Sequence, residues 1–169
     1  MKNWLILVIT FFATHQALAD TKRIISLAPH TTELAYAAGL GDKIIAVSEY
    51  SDYPEQAKKL ERVANYQGIK LERIVAMQPD LILVWPAGNP AREVEKLEKL
   101  GFNLFYSQTK TLDDIASNIE KLSQYADDPS IGLNAAQQFR HGLAQLKQKY
   151  DTETPFATFT SSVKNQLSP

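Results

Sequence analysis

Residues 71–85 read Leu-Glu-Arg-Ile-Val-Ala-Met-Gln-Pro-Asp-Leu-Ile-Leu-Val-Trp. Leu71 to Met77 reads as a short helix, and Pro79 forbids its continuation. Leu81 to Val84 is then an unbroken apolar run, which predicts a strand buried on both faces. Three more runs have the same character: Ile24-Ile25-Ser26-Leu27, Ile44 to Val47 and Phe102 to Tyr106. Continuous runs, rather than alternating ones, favour a parallel sheet with helices as crossovers. The expected architecture is a doubly wound α/β lobe. Ligands on such sheets sit beyond the carboxyl ends of the strands. Pro29, Tyr50 and Trp85 all follow strands at that edge.

Helix signals fall between the runs. Thr31 or Thr32 can cap a helix that carries Leu34, Ala35 and Ala38 and stops at Gly39. Asn89-Pro90 reads as a cap followed by proline at the first helical position. That helix packs Val94, Leu97 and Leu100 and ends at Gly101. Thr111 with Asp114 resembles a capping box, and Leu112, Ile115, Ile119 and Leu122 follow at helical spacing. From Pro129 to Tyr150, Ala136, Phe139, Leu143, Leu146 and Tyr150 form one stripe. It predicts a helix of about 20 residues, roughly 30 Å long.

The first nineteen residues read as an export signal. Lys2 is its positive end, Trp4 to Phe12 its apolar run, and Ala17-Leu18-Ala19 its cleavage site. Asp20 is the expected mature N-terminus. The run is short of the roughly 20 residues a spanning helix needs. There is no cysteine, which excludes disulfides, thiolate metal sites, cysteine nucleophiles and a lipoprotein anchor. Removing residues 1–19 takes away Lys2 alone among the charged residues, leaving 17 basic against 19 acidic side chains. Such a balance gives no electrostatic reason to expect nucleic acid or anionic lipid as partner.

Three aromatics, Tyr50, Tyr66 and Trp85, sit in or beside strand-end loops. Aromatics on loops held by a rigid scaffold point to a surface for a large flat ligand. The ordinary alternative is that they serve packing. Motifs add to this reading. Ser26-Leu27-Ala28-Pro29 with Thr32-Glu33-Leu34, and the Leu-Glu-Arg-Ile…Pro-Asp-Leu-Ile pattern of residues 71–82, resemble the binding proteins for iron siderophores, haem and cobalamin that serve ABC importers. Tyr50-Ser51-Asp52-Tyr53-Pro54, and Trp85 with Gly88-Asn89, narrow the resemblance to the vitamin B12-binding periplasmic proteins. It runs from Ile24 to about Tyr150.

The resemblance implies that Tyr50, Tyr66 and Trp85 pack against the corrin ring of cobalamin. Where this chain has Tyr66 the family commonly has Trp, so the aromatic face is kept at smaller area. It also implies that Glu72 docks onto arginines of the permease in the inner membrane, the protein's only membrane contact. Alone, Glu72 reads as a carboxylate complementing a helix dipole. The implied domains are a signal peptide over 1–19, an N-terminal α/β ligand-binding lobe over 20–128, an inter-lobe linker helix over 129–150, and a truncated or divergent stub over 151–169 in which Pro155 to Phe159 could begin a strand. The second lobe of the class needs on the order of 100 residues and is expected to be missing.

Other readings carry less. His30 precedes the first helix and is a tempting metal ligand, yet one histidine without a second is a weak signal. His141 falls in the long helix and His15 in the signal, so no metal cluster can be assembled. Asp113-Asp114 opens a helix and Asp127-Asp128 lies in a loop, which suits solvated charge better than acid–base chemistry. There is no Gly-x-Ser-x-Gly, and Gly39-Leu40-Gly41 follows a helix instead of a strand. The expected role is periplasmic capture and delivery of cobalamin, not catalysis, with no cofactor. A siderophore or haem binder is the first alternative, though the aromatic loops carry no cation except Lys70. The second is a non-binding remnant.

Overall fold

All four side chains of Leu81–Val84 are buried, and alternate ones enter different cores. Leu81 and Leu83 join the cluster of Ile24, Leu34, Ala35, Leu122 and Ala136, whereas Ile82 and Val84 join that of Ile25, Val63, Ile74 and Leu97. This strand therefore divides two apolar layers. The computed structural model describes residues 21–150. The expected signal, its cleavage after Ala19 and the segment 151–169 lie outside the described residues.

The elements are β1 (Ile24–Ser26), α1 (Pro29–Ala37), β2 (Ile44–Ser48), β3 (Glu61–Asn65), β4 (Gly68–Ile69), α2 (Leu71–Met77), β5 (Leu81–Val84), α3 (Ala91–Lys99), β6 (Leu104–Tyr106), α4 (Leu112–Ser123) and α5 (Pro129–Tyr150). The sheet order is β4-β3-β2-β1-β5-β6. Every neighbouring pair is parallel except β3 with β4. Helices α1, α4 and α5 cover one face, and α2 and α3 the other. The doubly wound lobe is as expected, with one antiparallel edge hairpin added to the parallel sheet. Ile24 pairs Ile44 but Ile25 pairs Ala46, so Ile45 is an extra residue on β2. Ile45 and Ala46 both turn to the α2–α3 side.

Helix ends follow local chemistry at some places and tertiary demand at others. Thr111 and Asp114 form the full capping box of α4. Gly39 and Gly101 lie beyond α1 and α3 at φ 82° and 84°, where a side chain would be strained. The expected threonine cap of α1 is not formed. This helix starts at Pro29, so Thr31, Thr32 and His30 lie inside it. Nor does Asn89 cap α3, whose cap residue is Pro90.

The last helix occupies the expected residues 129–150. It runs antiparallel to α4, for Gly132 meets Ser123 while Arg140 pairs with Glu120 and Asp113. Ala136 is buried and Phe139 packs against the same cluster, but Leu146 and Tyr150 remain exposed. Among the described residues no helix is long and apolar enough to cross a membrane.

Candidate ligand-binding site

From β1 the chain crosses to β2 on one side and reaches β5 on the other. The carboxyl ends of β1 and β5 thus flank a point where strand order reverses, the usual place for a ligand on an open α/β sheet. Trp85 follows β5 directly, Leu27 to Pro29 follow β1, Tyr50 lies just past β2, and Tyr66 is in the turn between β3 and β4. The structure brings all three aromatics to one depression of about 240 Å³. Ala28, Pro29, Glu49 and Asn89 complete much of its lining. Tyr66 is 83% exposed, Tyr50 74% and Trp85 40%, so none of them serves as core.

Each aromatic is held by its neighbours. The Trp85 amide donates to Asn89 Oδ1 at 2.7 Å, and Asn89 Nδ2 donates to the Leu27 carbonyl at 2.8 Å. One amide side chain therefore ties the β5 loop to the end of β1. A Cβ at Gly88 would overlap the Trp85 ring, so the indole lies directly on that backbone. On another side His30 meets the indole edge-on, centroids 5.3 Å apart and planes at 85°. Burial lowers the His30 pKa below its ordinary 6.5, so the neutral ring prevails at pH 7.

Tyr50 has φ 64°, the left-handed region that non-glycine residues rarely enter. A set of buried hydroxyls underlies its turn. Thr32 Oγ1 lies within hydrogen-bond distance of Ser26 Oγ at 2.9 Å and of Ser51 Oγ at 3.1 Å. Ser26 and Thr31 hydroxyls share a bond of 2.7 Å, and those of Ser48 and Ser51 one of 3.0 Å. This network joins β1, α1 and the β2 loop and leaves these buried oxygens satisfied. Tyr66 rides on a turn in which Asn65 Oδ1 accepts from the Gln67 and Gly68 amides at 2.9 and 3.1 Å. Glu93 of α3 accepts from the Ile69 amide at 2.8 Å and fixes that hairpin to the helix layer.

Glu72 lies elsewhere, exposed in the first turn of α2 and outside the depression. No hydrogen bond or ion pair engages it among the described residues. Lys70 does not line the aromatic depression either. It borders a neighbouring cavity of about 330 Å³, where its Nζ donates to the Arg62 carbonyl at 2.9 Å.

The paired aspartates are structural. Asp114 accepts from the Thr111 and Lys110 amides, which hold its carboxyl below the usual carboxylate range. Asp113 pairs with Arg140, Asp127 with Lys43, and Asp128 accepts from the Ser130 amide. Among the described residues no three His, Cys, Asp or Glu side chains are grouped to hold a metal ion.

A family model for periplasmic binding proteins matches residues 24–165. The chain belongs to this family. A vitamin B12-binding protein of Vibrio vulnificus (strain YJ016) is 63% identical over 150 residues, 89% of this chain and 55% of the relative. One of Yersinia pestis (strain Pestoides F) is 55% identical over 138 residues, 82% of this chain and 49% of the relative. The crystal structure of the periplasmic vitamin B12 binding protein of Vibrio cholerae aligns with TM-score 0.79 at 60% identity, over 80% of this chain and 53% of that one. A periplasmic haem binding protein of Pseudomonas aeruginosa has the same fold at 22% identity, with TM-score 0.68 over 76% of this chain and 46% of that one. The chain therefore spans about half the length of the curated relatives it matches. These relatives are named as binding proteins.

The aromatics were legible because each follows a strand or turn. The residues that hold them, Asn89, Gly88 and the five hydroxyls, were not. The pair Gly88-Asn89 was conspicuous beside Trp85, but nothing in the sequence alone shows an asparagine side chain turned back towards β1.

Proposed function

We propose that the chain captures cobalamin without covalent chemistry and presents it to the permease of an ABC importer. The observation that carries this is the convergence of Tyr50, Tyr66 and Trp85 on one depression at the strand-order reversal. Corrin is large, weakly polar and rimmed by amides. Exposed aromatic rings offer it about 150–250 Å² each while losing little rotamer freedom. The close relatives named for vitamin B12 point the same way. Among the described residues no lysine or arginine lines the aromatic depression, and Arg62 and Lys70 border a different cavity, which favours this ligand over an anionic siderophore or haem.

Delivery assigns the remaining parts. An export signal cleaved after Ala19 would place the protein in the periplasm. Helix α5 would lead out of the ligand-binding lobe as its linker. Glu72 would supply a docking salt bridge to permease arginines, a role supported by its exposure and by the lack of a partner among the described residues. Glu72→Lys should abolish stimulation of the importer and leave cobalamin affinity unchanged. Loss of binding in that variant would instead make Glu72 structural.

The decisive test is calorimetric titration of the exported chain with cyanocobalamin, with haem and a ferric siderophore as controls. Saturable heat from cobalamin alone, with affinity about tenfold weaker in Trp85→Ala, is expected. No heat from a folded sample would leave a non-binding member of the family.

A further inference from the structure

Aromatic faces hold any flat ring system, so Tyr50, Tyr66 and Trp85 cannot tell one macrocycle from another by its edge. Discrimination has to come from the polar groups beside them. Among the residues lining the depression, Glu49 alone bears a formal charge. It stands between the end of β2 and Tyr50, and its amide donates to the Ala64 carbonyl at 2.7 Å. Its carboxylate accepts from Asn65 Nδ2 at 3.3 Å and joins no ion pair among the described residues. The remaining lone pairs are available to a ligand.

The two cations that share a neighbouring cavity with it, Arg62 and Lys70, are engaged by other partners. Arg62 donates to the Ser48, Ser51 and Ala57 carbonyls and pairs with Asp52, and Lys70 donates to the Arg62 carbonyl. Glu49 is half-buried, so its field is weakened less than that of a freely exposed carboxylate.

We propose that Glu49 is the residue that selects the ligand's edge chemistry, accepting hydrogen bonds from side-chain amides and repelling side-chain carboxylates. The proposal rests on the cobalamin reading. It accounts for how a fold shared with haem binding proteins can favour an amide-rimmed macrocycle over one bearing carboxylates.

The test compares cobalamin with its b-, d- and e-monocarboxylic acids, in each of which one side-chain amide is replaced by a carboxylate. The ring and its aromatic contacts stay the same. At low salt the full chain should bind at least one acid about tenfold more weakly than cobalamin. The gap should narrow in about 0.5 M salt, because screening acts on the repulsion and not on stacking. Glu49→Gln should bring amide and acid within about twofold of each other.

Equal affinities for cobalamin and all three acids in the native chain would overturn the role of Glu49 and leave cobalamin capture standing. So would a gap that Glu49→Gln preserves. If that variant does not fold, the native chain decides, since a gap indifferent to salt also overturns the proposal. Failure of the folded native chain to bind any of the four corrinoids would remove the cobalamin reading, and this inference with it.

Discussion

Tyr50 occupies backbone that its side chain does not favour. At φ 64° a non-glycine residue costs about 1 kcal/mol or more. The turn keeps it there because Ser48 and Ser51 are anchored through buried hydroxyls. Tyr50→Gly should therefore raise unfolding stability by up to about 1 kcal/mol in urea titrations. The same variant should weaken cobalamin binding, since an exposed ring is removed. A variant both less stable and fully competent to bind would contradict this reading. His30 carries a pH dependence. Its folded pKa lies below the unfolded 6.5, because burial disfavours the imidazolium. Above about pH 6.5 both states are neutral and the contribution is fully present. As pH falls through the folded pKa, the unfolded chain gains a proton first and stability is lost. Thermal melts between about pH 7.5 and 5.5 should show a smaller loss for His30→Gln than for the native chain. Residues of this kind were only half legible in the sequence. Thr31, Thr32 and Asn89 carry the ordinary signature of helix caps, an oxygen-bearing side chain beside a helix start. Other partners hold those oxygens: Ser26 and the Trp85 amide nearby in sequence, and Ser51 across the fold.

At the scale of elements, legibility tracked apolar runs rather than burial itself, for β6 reads as such a run although it is an edge strand with no fully buried residue. Strands β1, β2 and β5 lie in the middle of the sheet and read as apolar runs. β4 is the two-residue edge strand and β3 lies next to it, and Glu61-Arg62-Val63-Ala64-Asn65 buries only Val63 and Ala64, so neither strand stands out in the sequence. The hairpin that presents Tyr66 was missed for that reason. Helix α5 was visible as a stripe, but its seat depends on a residue without a side chain. A Cβ at Gly132 would lie 2.6 Å from Ser123 Cβ and 3.1 Å from Ala38 Cα. The Ala38 atom is backbone, so the helix itself must shift. Gly132→Ala should cost about 1–3 kcal/mol, despite alanine's better helix propensity, and should be read as a lower urea midpoint. Gly142, with nothing within 4 Å of its Cβ position, is the control, and Gly142→Ala should stabilise by about 1 kcal/mol or less. Equal stabilisation by both substitutions would mean that α5 does not pack closely on α1 and α4.

For the molecule as a whole, the described residues offer a ligand one wall. Sites for small molecules commonly have volumes of about 300–1,000 Å³ and bury 70–90% of the ligand. The depression here is about 240 Å³, and Tyr50 and Tyr66 stand in solvent on its border. A corrin laid on this wall would lose water from one side only. The favourable burial must still exceed the lost translational and rotational freedom of association. Affinity is therefore expected on the order of 10 µM or weaker, with Trp85→Ala weaker by a further factor of about ten. Equilibrium dialysis of the monomeric chain at low protein concentration would measure both. A nanomolar constant would contradict the one-wall account and require a second surface over the exposed side of the corrin. Sedimentation with and without cobalamin would then find its source. A doubled mass would assign it to a second copy. An unchanged mass would assign it to residues of the same chain outside 21–150, and shortening the chain to Tyr150 should return the affinity to the weak range.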